Sequence, residues 1–84
     1  MNPKPLRDKI PTHLIGGIDR WVEQHTLPGG FLTAVLKNDL KGAVDRADDI
    51  SKKHIVDIVI YLYNYVPSAC WGSKEKVEAW AENI

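Results

Sequence analysis

Residues 28–33, Pro-Gly-Gly-Phe-Leu-Thr, place two glycines directly before an apolar helical pattern. Backbone N–H groups at a helix start attract phosphate, and glycine lets an anion approach closely. Gly29 and Gly30 are therefore candidate ligand-binding residues, together with the hydroxyl of Thr33. The competing interpretation is a tight turn that uses glycine for its backbone angles, and we favour this turn. A Walker-type loop is excluded, because no Gly-Lys-Ser/Thr follows a strand.

Two arginines are candidates for binding an anion beside these glycines, Arg20 and Arg46. A guanidinium group binds a phosphate or a carboxylate with a planar pair of donors. For Arg46 the alternative is a surface ion pair with Asp45 or Asp49, which would stabilise the fold only slightly. The sequence favours this ion pair for Arg46.

A second group of candidates lies in the C-terminal part of the chain. Ser73 and Lys76 can bind an anion at the start of the last helix, and Trp71 or Tyr65 can stack on a base. Capping and packing are the favoured alternatives for all four. Cys70 has no histidine nearby in sequence, so we interpret it as a small buried hydrophobic residue rather than a nucleophile.

Composition excludes several classes of function. The 84 residues include one cysteine and three separated histidines, so we expect neither a disulfide, a metal site nor a cofactor. Eleven basic residues balance 11 acidic ones, which disfavours nucleic-acid binding. We expect no enzyme, because no catalytic frame of histidines or glycines is present. The chain has no signal-peptide pattern and no run of 18 apolar residues, so we expect a cytoplasmic protein without membrane contact.

Short helices must position these candidate residues. Apolar residues recur at helical spacing, which predicts helices over about 12–25, 30–37, 51–66 and 74–83. Asp39 caps a further helix that carries Leu40, Ala43 and Val44, and Asn38 breaks the chain before it. A single bent helix is the alternative to this break. Pro67 ends the helix over 51–66.

The predicted fold class is all-α, a compact bundle of four or five short helices. Residues 11–84 form a single helical domain, and residues 1–10, with two prolines, form a loose N-terminal segment. Gly16 and Gly17 lie inside the first helix, which tolerates them where a neighbouring chain segment packs closely.

The segment "HIVDIVIYLYNYV" is apolar on most sides. Such a helix is either central or lies at a subunit contact. A core this small cannot cover all of it, so we expect copies of the chain to associate. A strand is the competing interpretation, because β-branched and aromatic residues dominate the segment. Tyr63 is expected to pack in the core or at the contact. Tyr61 and Tyr65 lie on faces that can stack on a base or contact a partner, but core or subunit packing is the favoured interpretation for them as well. The predicted interface residues are Ile55, Val56, Val59, Ile60 and Tyr63.

Three stretches of the chain carry a resemblance: "LPGGFLTAVLKNDLKGAVDRAD", "YLYNYVPSACWGS" and "EKVEAW". They resemble a family of small proteins of tailed bacteriophages and prophages, over about residues 11–80. The resemblance implies a phage accessory gene, of the kind that serves host takeover or counter-defence. It implies no particular activity and no catalytic residue.

Together these observations favour a non-enzymatic binding protein. We expect a homo-oligomer that sequesters a small anionic ligand, such as a nucleotide immune signal, in pockets at subunit junctions. The alternative is an inhibitor that covers a host protein, such as a defence effector, with a surface patch. A DNA-binding helical module is the least favoured class. The protein would act in the cytoplasm of an infected or lysogenic bacterial host.

Overall fold

The computed structural model describes residues 5–82, and every regular element among them is helical. The helices are α1 (Thr12–Gln24), α2 (Gly30–Leu36), α3 (Leu40–Arg46), α4 (Asp49–Lys53), α5 (Ile55–Tyr65) and α6 (Lys74–Glu82). Two 3-10 turns, Pro5–Lys9 and Ser68–Cys70, precede α1 and α6. The prediction of an all-α bundle is confirmed, with six α-helices in place of four or five.

The break between α2 and α3 lies where the sequence predicted it. Asn38 adopts a left-handed conformation with φ of 63°, which an α-helix cannot contain. The carboxylate of Asp39 then accepts a hydrogen bond from the N–H of Gly42 at 3.0 Å and caps α3. The alternative of one bent helix is therefore wrong.

The single helix predicted over 51–66 is two helices. Asp48 caps α4 by accepting a hydrogen bond from the Ser51 N–H at 2.7 Å, so the first helix begins before Ser51. His54 separates the two helices, because its N–H bonds back to the Ser51 carbonyl while its own carbonyl accepts from the Ile58 N–H. The strand interpretation of this segment is also wrong, since α5 is helical throughout.

The core packs around Trp21, which has no exposed surface. The indole N–H of Trp21 donates to the carbonyl of Cys70 at 2.9 Å, and that of Trp80 donates to the carbonyl of Trp21 at 2.8 Å. The ring of His25 stacks on Trp80 with centroids 4.4 Å apart. These contacts hold α6 and the turn before it against α1. Other buried core side chains include Leu14, Ile18, Leu32, Leu36, Ile58, Leu62 and Val77.

The N-terminal segment is attached to the bundle from Arg7 onward. The guanidinium of Arg7 donates to both oxygens of Asp19, at 3.0 and 2.8 Å, and to the hydroxyl of Tyr61 at 2.8 Å. These hydrogen bonds raise the pKa of Arg7, and the bond to Asp19 has the largest effect. Ile10 is buried in the core. The prediction of a loose segment is therefore wrong for residues 7–10. The contacts that anchor this segment are made with distant parts of the chain, which a local sequence pattern does not contain. Residues 1–4 lie outside the described residues.

The rotation of α5 about its axis differs from the prediction. Tyr61 is buried, whereas Tyr63 is 79% exposed. Tyr61 therefore takes the core position expected for Tyr63, because the hydrogen bond from Arg7 satisfies its hydroxyl there. The favoured interpretation of Tyr61, core packing, is therefore confirmed, and the alternative that it contacts a ligand or partner is wrong.

Candidate anion-binding cleft

A cleft of about 290 Å³ lies where α1, the start of α2 and the connection from α3 to α4 meet. We call it the arginine cleft. Its polar lining consists of His13, Arg20, Arg46, Asp48 and Ser51. Its other lining residues are the glycines and apolar residues Leu14, Gly17, Pro28, Gly29, Gly30, Phe31 and Leu32. The fold thus brings together four of the predicted ligand-binding residues, Arg20, Gly29, Gly30 and Arg46.

Arg46 lies across the start of α2. A methyl group at Gly30 would be 3.1 Å from Cδ and 3.5 Å from Nε of Arg46. One Nη donates to the carbonyl of Gly42 at 3.2 Å. The predicted ion pair of Arg46 is wrong: Asp45 instead contacts Lys41 at 3.5 Å, and none of the salt bridges within residues 7–82 includes Arg46. Its guanidinium therefore has no carboxylate partner in the described part of the chain.

Arg20 reaches the cleft from α1. Its Nη1 would be 3.3 Å from a methyl group at Gly16, so the guanidinium folds back over that glycine. Arg20, like Arg46, takes part in no salt bridge of the described chain. Gly17 serves packing instead, because a methyl group there would be 3.1 Å from the Leu32 side chain. The expectation that α1 tolerates two glycines because a neighbour packs closely is confirmed at Gly17.

One carboxylate lies at the same cleft, that of Asp48. Hydrogen bonds from Ser51 hold the pKa of Asp48 below its usual range, and the bond from the backbone N–H has the largest effect. Nearby His13 lowers the pKa further. Asp48 is therefore ionised at neutral pH and is engaged as the cap of α4. Two guanidinium groups thus face one carboxylate, which leaves the cleft positive.

The two glycines serve a purpose other than the one we favoured from the sequence. Gly29 has φ of −64° and ψ of 174°, which any residue adopts, and Gly30 lies within α2. The positive-φ glycine of the described chain is Gly72. The interpretation of Gly29-Gly30 as a turn that needs glycine backbone angles is therefore wrong. No side chain caps α2, which has seven residues, so the arginines rather than the helix dipole supply the charge.

Thr33 faces away from the arginine cleft. Its hydroxyl donates to the carbonyl of Pro28 at 3.1 Å and borders a second depression of about 320 Å³ on the other side of Arg46. We call it the lysine depression, because Lys37 lines it together with Asp39. Neither His13 nor Lys37 was a predicted site residue, because only the packing of the helices brings them into the depressions lined by Arg46.

The C-terminal candidates do not reach the arginine cleft. The Ser73 hydroxyl accepts the N–H of Lys76 at 3.1 Å, so it caps α6 as the favoured alternative predicted. Trp71 is half-buried against the core, and Tyr65 borders a separate cleft of about 170 Å³ beside Tyr61. Neither ring can stack on a base held between the two arginines of the same chain.

Cys70 is fully buried, and its thiol donates to the carbonyl of Pro67 at 3.1 Å. Burial raises the pKa of the Cys70 thiol, which keeps it protonated at neutral pH. The interpretation of Cys70 as a buried hydrophobic residue is confirmed.

An apolar surface lies along α5. It consists of Val56, Val59, Ile60 and Tyr63, which are 68%, 39%, 41% and 79% exposed. We call these four residues the α5 stripe; the fifth predicted interface residue, Ile55, is half-buried against the core. Val59 and Ile55 also line a narrow groove of about 40 Å³ with Leu40 and Ala43 of α3. The stripe therefore continues into an apolar groove between α3 and α5.

No family model, curated protein or solved structure matches this chain. The resemblance to phage proteins accordingly stays a prediction. Among residues 5–82, no helix has both the length and the apolar character needed to cross a membrane. The same residues hold no group of three or more histidine, cysteine, aspartate or glutamate side chains placed to bind a metal ion.

Proposed function

We propose that this chain is a small binding protein that holds an anionic ligand in the arginine cleft. One observation carries the proposal: Arg20 and Arg46, 26 positions apart, line one cleft, and neither has a carboxylate partner among the described residues. A guanidinium binds phosphate or carboxylate through two parallel hydrogen bonds. Both arginines are exposed at the cleft, so water and salt screen their long-range attraction, and the paired hydrogen bonds to an anion in contact supply the affinity.

The size of the cleft favours a small ligand. Its volume of about 290 Å³ is at the lower end of ligand pockets, which span roughly 300–1,000 Å³. The zero net charge of the chain disfavours a long nucleic acid, which binds through many basic contacts. A compact organic anion fits both observations.

We also propose that the α5 stripe binds a second copy of the chain. Its residues repeat at i, i+3, i+4 and i+7, the spacing of one helix face that packs against another helix. The stripe offers projecting side chains, and the adjacent groove between α3 and α5 offers a complementary hollow, so two copies can engage each other reciprocally. A net charge of zero removes long-range repulsion between copies.

The biological role that we propose is sequestration. If the motif resemblance to phage proteins holds, the ligand is a small anionic signal of the bacterial host, such as a nucleotide immune signal. Stoichiometric binding would then remove the signal from the cytoplasm without chemical conversion. The balanced composition and the protonated, buried Cys70 thiol support binding rather than catalysis.

Thermal unfolding with a panel of linear and cyclic nucleotides tests the proposed ligand class. A ligand at a hundred times its dissociation constant stabilises the fold by about 2.7 kcal/mol, which is a measurable shift. Arg20→Ala and Arg46→Ala should each remove the shift, whereas Lys52→Ala should retain it, because Lys52 is exposed on α4 and does not line the cleft. Folded protein that shows no shift with any anion would exclude the proposal.

Light scattering over a wide range of protein concentration tests the proposed association. The wild-type chain should form a defined oligomer, and Ile60→Lys should be monomeric, because a charge placed within an apolar contact is not solvated. Glu78→Lys is the matched control, since Glu78 is exposed on α6 and outside the stripe. A wild-type monomer at all concentrations would contradict association through the α5 stripe.

The second candidate function is inhibition of a host protein, and the exposed α5 stripe is the observation that favours it. Affinity capture from host lysate followed by mass spectrometry separates the two functions. One stoichiometric partner that is captured by the wild-type chain and lost with Ile60→Lys would favour inhibition. Ligand protection without such a partner would favour sequestration.

A further inference from the structure

Arg46 forms a wall shared by two depressions. The arginine cleft and the lysine depression have volumes of about 290 and 320 Å³, and both are lined by Pro28, Gly30 and Arg46. The Arg46 side chain lies against Gly30, where the two depressions meet. A ligand group in either depression can therefore contact the same guanidinium.

Each depression also has a cation of its own. Arg20, beside the imidazole of His13, lines the arginine cleft, and Lys37 lines the lysine depression. Lys37 also lines a separate depression together with Glu78 and Glu82. Lys37 nevertheless takes part in none of the salt bridges among residues 7–82. Three cationic side chains therefore line the two depressions. Arg46 lines both, Arg20 lines the arginine cleft, and Lys37 lines the lysine depression.

The carboxylates at these depressions serve as helix caps. Asp48 accepts a hydrogen bond from the Ser51 N–H in the arginine cleft, and Asp39 accepts one from the Gly42 N–H in the lysine depression. Their negative charge is directed at the starts of α4 and α3, where the helix dipole favours it. Neither carboxylate forms a salt bridge with the three cationic side chains, so their hydrogen-bond donors are available to a ligand.

We infer that the ligand carries two anionic groups, one on each side of Arg46, joined by an uncharged linker. This inference rests on the proposed function and names the chemical class of its ligand: bisphosphates, including dinucleotides. One group lies between Arg20 and Arg46, and the other lies between Arg46 and Lys37. Each depression is at the lower limit of the size of a ligand pocket, so each accommodates one charged group with its substituent.

Alkanediyl bisphosphonates of increasing linker length, compared with the alkyl monophosphonates of matching length, test the inference by calorimetric titration. The second phosphonate binds as an intramolecular event, so affinity should pass through a maximum at the linker length that spans Arg46. At that maximum we expect the bisphosphonate to bind on the order of tenfold or more tightly than its monophosphonate. A twofold advantage is the statistical effect of two equal ends and would overturn the inference.

Substitutions locate the second group. Lys37→Met keeps the apolar stem and removes the charge, so it should abolish the bisphosphonate advantage while weakening the monophosphonate far less, because Arg20 and Arg46 still hold a single group. Arg46→Met should weaken both probes, and Lys41→Met should change neither, because Lys41 is exposed on α3 and lines neither depression. An advantage that survives Lys37→Met overturns the inference.

The outcomes also separate the inference from the proposed function. Equal binding of both probes, sensitive to Arg20→Ala but not to Lys37→Met, overturns the two-group ligand and supports a single anion in the arginine cleft. Failure of every phosphonate to bind folded protein overturns both. Circular dichroism of each variant confirms that the comparison is made between folded proteins.

Discussion

Arg46 and Gly30 are in direct contact: a methyl group at position 30 would lie 3.1 Å from Cδ of Arg46. Gly30 is a helical residue without unusual backbone angles, so backbone conformation does not explain the glycine. Its lack of a side chain is what allows the close approach of Arg46. The absence of a side chain at Gly30 therefore leaves the space in which the stem of Arg46, from a different helix, lies. This contact links the start of α2 to the charge of the arginine cleft.

Gly30→Ala should separate ligand affinity from stability. Alanine in a helix is favoured over glycine by about 0.5–1 kcal/mol, so the free energy of unfolding should stay the same or rise. The added methyl group displaces Arg46, so affinity for an anion should fall severalfold in calorimetric titration. Lys52→Ala is the control, because Lys52 is exposed on α4 and does not line the cleft. Equal affinities of the two variants would show that Gly30 does not position Arg46.

Trp21→Phe should destabilise the bundle strongly. The indole is fully buried, and its N–H donates to the Cys70 carbonyl at 2.9 Å. Phenylalanine leaves a cavity and a buried carbonyl without its donor, which together cost about 2–4 kcal/mol. Urea unfolding monitored by circular dichroism measures the loss. Trp71→Phe, at a half-buried position, should cost less than half as much, and similar losses for the two variants would contradict this account of the core.

Asp48 should contribute to stability in a pH-dependent way. Hydrogen bonds from Ser51 lower the pKa of Asp48 in the folded chain, so the carboxylate stabilises the fold above its unfolded pKa. That contribution is lost as the pH falls from about 4 through the lower folded pKa. Asp48→Asn retains a capping oxygen and should therefore flatten the acid limb of a plot of unfolding free energy against pH. Asp49→Asn should leave that limb steep; two identical curves would refute the assignment.

Cys70 should be unreactive in the folded protein. Its thiol is buried, donates to the Pro67 carbonyl and has a pKa raised mainly by burial, so little thiolate forms near neutral pH. Ellman's reagent should label Cys70 slowly in buffer and rapidly in denaturing urea. Rapid labelling of the folded chain, with circular dichroism unchanged, would contradict burial of the thiol.

Local chemistry in the sequence was sufficient to predict most helix ends. Asn38 tolerates a left-handed backbone, Asp39 offers a capping oxygen and Pro67 cannot continue a helix, and the structure confirms all three boundaries. Each of these boundaries depends on interactions between residues that are close in sequence, so a local sequence pattern is enough to predict it. The break at His54 was not predicted, because no glycine, proline or asparagine marks it and helical spacing continues on both sides.

Local sequence patterns thus indicate an all-helical chain, the break at Asn38 and an apolar segment that a small core leaves partly exposed. The packing of the helices places Arg46 against Gly30 without an acidic partner among the described residues. It also places Lys37 in the adjoining depression and buries Tyr61 rather than Tyr63. The physical reason is that helix periodicity defines a face but not its rotation about the helix axis. Side chains from other helices select that rotation, and with it the residues that meet at the cleft.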